Sequence, residues 1–156
     1  MSIVSVIGCD PGPTTGIALH DWADGRLSVW TVLQVDGDSA QDVLEAILIQ
    51  RQRRIGDYIA KRYAQVEPFV TGQSAGTRGP KADYTRQEAF KLVEQLELWG
   101  YAVQLRKAAD VKTWASDKRL KAAGVLRPPE NRHGNDASRH AIFCATRDGK
   151  MPDPLR

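Results

Sequence analysis

The chain has 156 residues, 42% hydrophobic and 26% charged, with a net charge of +3. That balance predicts one globular domain over residues 1–156, with no extended disordered tract. Two cysteines are too few for a disulfide framework. No apolar stretch is long enough to cross a bilayer and the N-terminus has no secretory pattern, so a cytoplasmic protein with no membrane partner is expected.

The first apolar run, residues 3–10, ends in Asp10, and Pro11-Gly12-Pro13-Thr14-Thr15-Gly16 follows it. Such a run bounded by Gly and Pro predicts a buried strand. A charge at its end needs a solvated cleft, a partner or a metal, because burying it alone is costly. Asp before Pro-Gly is also ordinary turn chemistry. A second strand is predicted over 15–21. Asp24-Gly25 marks a tight hairpin leading to a third strand over 26–35, where Leu27, Val29, Thr31 and Leu33 alternate. A long helix follows from Ser39, which with Asp42 has the spacing of a capping box. Leu44, Ile47, Leu48, Ile55 and Ile59 mark its core face, and Arg51, Arg53, Arg54, Lys61 and Arg62 its wet side.

Residues 65–70 predict a fourth strand carrying Glu67, with pairing weakened after it because Pro68 has no N–H. Residues 71–83 read as a glycine-rich loop with Arg78 and Lys81. Thr85 and Glu88 again have capping-box spacing, and the helix they open carries Ala89, Leu92, Val93, Leu96 and Trp99 on one face before Gly100. That face is either core or a subunit interface. A fifth strand is predicted over 101–105, short helices over 110–114 and 116–123, and a last helix over 135–148. Cys9 and Cys144 fall in the first strand and last helix and are expected to be buried thiols. The order predicts an α/β mixed sheet of five strands, three antiparallel and then two helix-connected, flanked by helices.

From Arg106 to Arg132 there are eight bases (Arg106, Lys107, Lys112, Lys118, Arg119, Lys121, Arg127, Arg132) against Asp110, Asp117 and Glu130. A basic segment of this kind suits a phosphate backbone, or it is simply a solvated face. Asp10, Glu67, His133 and Asp136 form a candidate constellation. His133 and Asp136 are three apart and share a helical face. Read singly, each has a plain explanation: a turn, a sheet edge, a surface histidine, a helix cap. If strands one and four are neighbours and the last helix crosses them, all four converge. Sparse carboxylates with one imidazole suit two Mg²⁺ or Mn²⁺ ions acting on a phosphodiester. His140, four after Asp136, is expected to stand behind them.

Asp10-Pro11-Gly12 with Thr15-Gly16, Glu67, and His133 with Asp136-Ala137 resemble the RuvC family of Holliday junction resolvases, within the ribonuclease H-like superfamily. The likeness is greatest to the small bacteriophage members of that family and covers nearly the whole chain. Asp110-Val111-Lys112 with Ser116-Asp117-Lys118 is similar to its basic DNA-facing segment. The resemblance implies a homodimer that nicks two strands of a four-way junction in recombination and repair, using two Mg²⁺ or Mn²⁺ ions per site. It implies Asp10, Glu67, His133 and Asp136 as catalytic metal ligands, and Lys112 and Lys118 as phosphate contacts. Arg78, Lys81, Lys107 and Arg119 are further candidate DNA contacts, and a base-stacking role for Phe69 is open beside a core one. A broader flap and fork nuclease and a non-catalytic junction-binding module are the rival readings. An actin-like ATPase shares the Asp-x-Gly turn but needs two lobes and a glycine-rich phosphate loop, which this chain lacks.

Overall fold

The structure is a computed structural model, and it describes residues 2–68 and 79–156. Five strands form one sheet in the order β3-β2-β1-β4-β5. They are β1 (Ile3–Asp10), β2 (Thr14–Ala23), β3 (Arg26–Asp36), β4 (Ile59–Val66) and β5 (Ala102–Leu105). β1–β2 and β2–β3 pair antiparallel, whereas β1–β4 and β4–β5 pair parallel. The β2–β3 connection is the expected tight one. Asp24 and Gly25 both have positive φ, 52° and 73°, the left-handed pair that a two-residue hairpin turn demands.

Strand alternation divides the sheet into two cores. Ile7, Cys9, Ile17, Leu19, Ala64 and Val66 face α1 (Ala40–Ile55) and α2 (Pro80–Leu98). Val6, Ala18 and Trp22 face Ala137, Ala141, Cys144 and Ala145 of α5 (Arg132–Arg147). Beside α5, Ala115, Leu120, Val125, Ile142 and Leu155 form a third cluster, which anchors α3 (Ala108–Lys112) and α4 (Asp117–Ala122). Cys9 and Cys144 are free, buried and on opposite sides of the sheet. Burial pushes the Cys9 thiol up to about 12, the charge of Asp10 adding to it. No helix among the described residues is long and apolar enough to cross a membrane.

Several boundaries differ from the sequence expectation. The first long helix stops at Ile55. A 3₁₀ turn, Gly56–Tyr58, leads into β4, so Ile59, Lys61 and Arg62 belong to a strand. Ile59 kept helical phase by coincidence; it pairs with Ile3 in the sheet. β4 ends at Val66, which puts Glu67 just beyond the strand rather than inside it. Its N–H still donates to the Cys9 carbonyl at 3.0 Å, and Pro68 can extend the ladder no further.

Neither capping box forms. Ser39 makes no side-chain cap, because the Asp36 carboxylate caps a preceding 3₁₀ turn, Gly37–Ser39. α2 starts at Pro80, after Gly79 at φ 99°, so Lys81 lies on a helix and Thr85 inside it. The Thr85 hydroxyl donates back to the Lys81 carbonyl at 3.1 Å. The face of α2 carrying Ala82, Ala89, Leu92 and Leu96 is core. Arg78 and Phe69 lie outside the described residues.

Candidate active site

The site forms where β1 and β4 end side by side. Asp10 and Glu67 each point to the α5 side of the sheet, as period-2 alternation from buried Cys9 and Val66 requires. Two glycines let α5 come close enough to meet them. A Cβ on Gly8 would sit 1.9 Å from the Ala137 carbonyl oxygen, and one on Gly16 would sit 1.9 Å from that of His133. The helix backbone therefore lies directly on β1 and β2. Its entry is fixed from β3: the His133 N–H donates to Gln34 Oε1 at 3.2 Å, and Gln34 Nε2 donates to the Glu130 carbonyl at 2.7 Å. The Pro11–Pro13 turn is pinned by Thr15, whose hydroxyl donates to the Gly12 carbonyl at 2.9 Å and accepts from the Gly12 N–H at 3.3 Å.

All four expected residues, Asp10, Glu67, His133 and Asp136, line one open cleft of about 1020 Å³. His133 Nδ1 lies 2.8 Å from Asp10 Oδ2. The Asp10 and Glu67 carboxyls stand close enough for each to act on the other's protonation. Burial first, then the Glu67 and Asp136 charges, push Asp10 up to about 9. Burial also acts to raise Glu67, but the hydrogen bond from His140, with the charge of Lys112 behind it, outweighs burial and holds Glu67 below its ordinary value. His133 is held below its ordinary value by burial and by Arg132, so it is neutral at pH 7.

His140 stands behind Glu67 as expected, with Nε2 3.2 Å from Glu67 Oε1. Asp136 is turned toward bases: Arg139 Nη1 donates to Oδ1 at 2.6 Å, and Lys112 Nζ lies 3.3 Å from Oδ2. With Asp136 so engaged, no three acidic, histidine or cysteine side chains among the described residues stand in a cation-enclosing arrangement. The donor set nevertheless fits a hard divalent cation. It offers carboxylate oxygens with one imidazole, holds the Asp10 carboxyl well above its ordinary value, and draws an ammonium group to its edge.

Of the expected DNA contacts, Lys112 and Lys118 face the cleft. Lys81 and Lys107 are exposed elsewhere, at the starts of α2 and α3. Arg119 is occupied by the C-terminal segment. It pairs with Asp153 at 3.1 Å, donates to the Trp114 and Leu155 carbonyls, and lies 5.2 Å over the Trp114 ring. The cleft also contains Arg127, Arg132, Asn135 and Arg139, which the sequence analysis did not single out as site residues. Asn135 clasps the Arg127 backbone through its side-chain amide at 2.8 and 3.0 Å. Arg139 joins Asp136, Asp117 and the Ala115 carbonyl, tying α3 and α4 to α5. Its one sequence signal was its position three residues after Asp136, on the same helical face.

The sheet order, with β1, β2 and β3 antiparallel and β1, β4 and β5 parallel, defines a five-stranded mixed α/β fold in which Asp10 and Glu67 stand side by side at the ends of β1 and β4. Solved structures agree in fold. A Thermus thermophilus RuvC structure matches with a TM-score of 0.62 at 16% identity, over 94% of this chain and 97% of that one. T. thermophilus RuvC in complex with a Holliday junction substrate matches at 0.61 and 17%, over 94% and 96%. No protein-family model matches the chain. No curated protein sequence matches it either.

Proposed function

We propose that this chain is a divalent-metal-dependent, structure-selective DNA endonuclease that resolves Holliday junctions by paired nicks. The observation that carries the reading is the cleft itself: Asp10, Glu67, His133 and Asp136 line it together, His133 bonded to Asp10, under a rim of Lys112, Lys118, Arg127 and Arg132. Carboxylates facing a phosphate backbone repel it unless a cation intervenes, so a binding-only module gains nothing from them. A matching fold bound to a Holliday junction supports the substrate class.

Asp10 and Glu67, with His133 and Asp136, would hold Mg²⁺ or Mn²⁺. A bound cation pair supplies charge stabilisation for the attacking and leaving oxygens of phosphodiester hydrolysis. The remaining work falls to the chain. His133, through its Nδ1 at 2.8 Å from Asp10 Oδ2, fixes the orientation of that carboxyl. Lys118, Arg127 and Arg132 grip phosphates and set the backbone's position, contacts that carry no base identity. Selectivity for a branch then comes from its open geometry and deformability. Two nicks in opposed strands require two such sites, which a homodimer provides.

The test is a digest of a mobile four-way junction by wild type and Asp10→Asn, with Mg²⁺, Mn²⁺ or EDTA. Wild type is expected to give paired nicks only with metal. The variant is expected to cut at least 100-fold more slowly and still to retard the junction in a gel. Metal-dependent cutting by the variant at the wild-type rate would overturn the assignment. Equal cutting of flaps, forks and junctions would favour the broader branched-DNA nuclease.

A further inference from the structure

A line of polar groups, buried at Gln65 and His140, runs from the cleft floor to the C-terminal end of α5. His140 is 1% exposed and Gln65 is fully buried. His140 Nε2 lies 3.2 Å from Glu67 Oε1, and His140 Nδ1 lies 2.7 Å from Gln65 Nε2. The Gln65 Oε1 is met by Arg106 Nη1. Arg106 in turn donates twice to Asp148, at 2.6 and 2.9 Å, and lies 5.2 Å over the Phe143 ring.

Donor and acceptor chemistry allows this line one polarity. A guanidinium has donors and no acceptor. Gln65 must therefore turn its carbonyl oxygen to Arg106 and its NH₂ to His140. His140 Nδ1 then has to accept, so it carries no hydrogen. The ring's single hydrogen sits on Nε2 and points at Glu67. Flipping the Gln65 amide would set N–H against N–H in a buried place and leave donors unpaired, which is costly.

We propose that Arg106 and Gln65 are positioning residues that lock His140 in its Nε2–H tautomer, so that Glu67 is presented to the cleft as a fixed hydrogen-bond acceptor. The lock explains why Gln65 and His140 occupy the sheet–helix interface, where Val6, Ala18 and Ala137 show that apolar groups pack readily. Its role toward a cation rests on the nuclease reading; the tautomer does not. Groups that orient a ligand in this way are typically worth roughly 10–100-fold in metal affinity.

The experiment uses the full chain labelled with ¹⁵N, and reads the His140 ring nitrogens by long-range proton–nitrogen spectra without metal. Wild type should show a pyridine-type Nδ1 and a pyrrole-type Nε2. In Gln65→Glu the new carboxylate can only accept, so Nδ1 should move to the pyrrole type. In Arg106→Met the amide is free to turn, and the two nitrogens should average. Arg106 is only partly buried, so this second variant carries the test if the first does not fold. Mg²⁺ titration calorimetry should show affinity falling about 10-fold in each variant. A pyrrole-type Nδ1 in wild type, or ring signals unchanged in both variants, would overturn the lock. Unchanged Mg²⁺ affinity in both variants would overturn its role toward the cation. A wild type with the expected tautomer and Mg²⁺ binding, but no cleavage of any branched DNA, supports the lock and removes the nuclease reading.

Discussion

Asp10 carries a proton in the folded chain that it has lost in the unfolded one over most of the useful pH range. Its folded value is about 9 against an ordinary 3.8. Between those values the folded state binds the extra proton, so stability falls as pH rises from about 4 to about 9. A cation that displaces the proton reverses the effect. In metal-free buffer, the melting temperature of Asp10→Asn should exceed that of wild type at pH 8, with the gap closing toward pH 4. Mg²⁺ should raise the wild-type melting temperature more at pH 8 than at pH 6 and should raise that of the variant little. Melting curves of wild type that ignore Mg²⁺ at both pH values would contradict this account. The same residues were the most legible ones. Asp10, Glu67, His133 and Asp136 stood out because a charge closing an apolar run, or two polar groups on one helical face, are local patterns. Arg139, Gln65 and Arg106 did not stand out, because their partners are remote in sequence and an Arg or Gln in a periodic segment reads as wet surface.

At the scale of elements, α5 and the two glycines beneath it decide whether a site exists. Gly8→Ala and Gly16→Ala would each drive a methyl into helix backbone that has no rotamer by which to yield. Overpacking of this kind usually costs 1–3 kcal/mol, and a backbone obstacle belongs at about 3. Gly16→Ala should displace the first turn of α5, which carries His133. Cleavage should therefore be lost even under conditions where circular dichroism shows a folded protein; full activity with unchanged denaturant midpoint would refute the close-packing argument. Caps were the weakest part of the sequence expectation, for a physical reason. A Ser/Thr-x-x-acid spacing can sit at a helix start or one turn inside it. At Thr85 the earlier Pro80 takes the first helical position, where its missing N–H does no harm, and Thr85 bonds backward instead. At Ser39 the Asp36 carboxylate reached a neighbouring N–H first. By contrast Ser116 does cap α4, accepting from the Arg119 N–H at 3.3 Å, and holds Lys118 at the cleft.

Over the whole molecule, charge is sorted by the fold more sharply than by the chain. The basic run 106–132 divides into residues that rim the cleft and residues consumed by packing. DNA binding should weaken steeply with salt, and Lys118→Ala and Arg127→Ala should each lower the slope of log K against log salt by about one. Arg119→Ala should instead lower thermal stability and leave that slope nearly unchanged, since its guanidinium is spent on Asp153, Trp114 and Leu155. Fluorescence anisotropy across a salt series, with melting curves alongside, separates the two classes. A steeper loss of slope in Arg119→Ala than in Lys118→Ala would show the assignment to be reversed.

The sequence by itself determined the strand and helix order, the Asp24-Gly25 hairpin and the buried thiols, and it singled out Asp10, Glu67, His133 and Asp136 as candidates. Each of these follows from the periodicity or conformational preference of a short stretch. Only the tertiary structure decided that β1 and β4 run side by side and that glycines admit α5 to contact. It also decided which of the many bases face the cleft and how the Asp148–Arg106–Gln65–His140 line is polarised toward Glu67. Those outcomes depend on contacts between residues far apart in the chain, where sequence spacing says nothing and only packing, burial and hydrogen-bond polarity choose among alternatives.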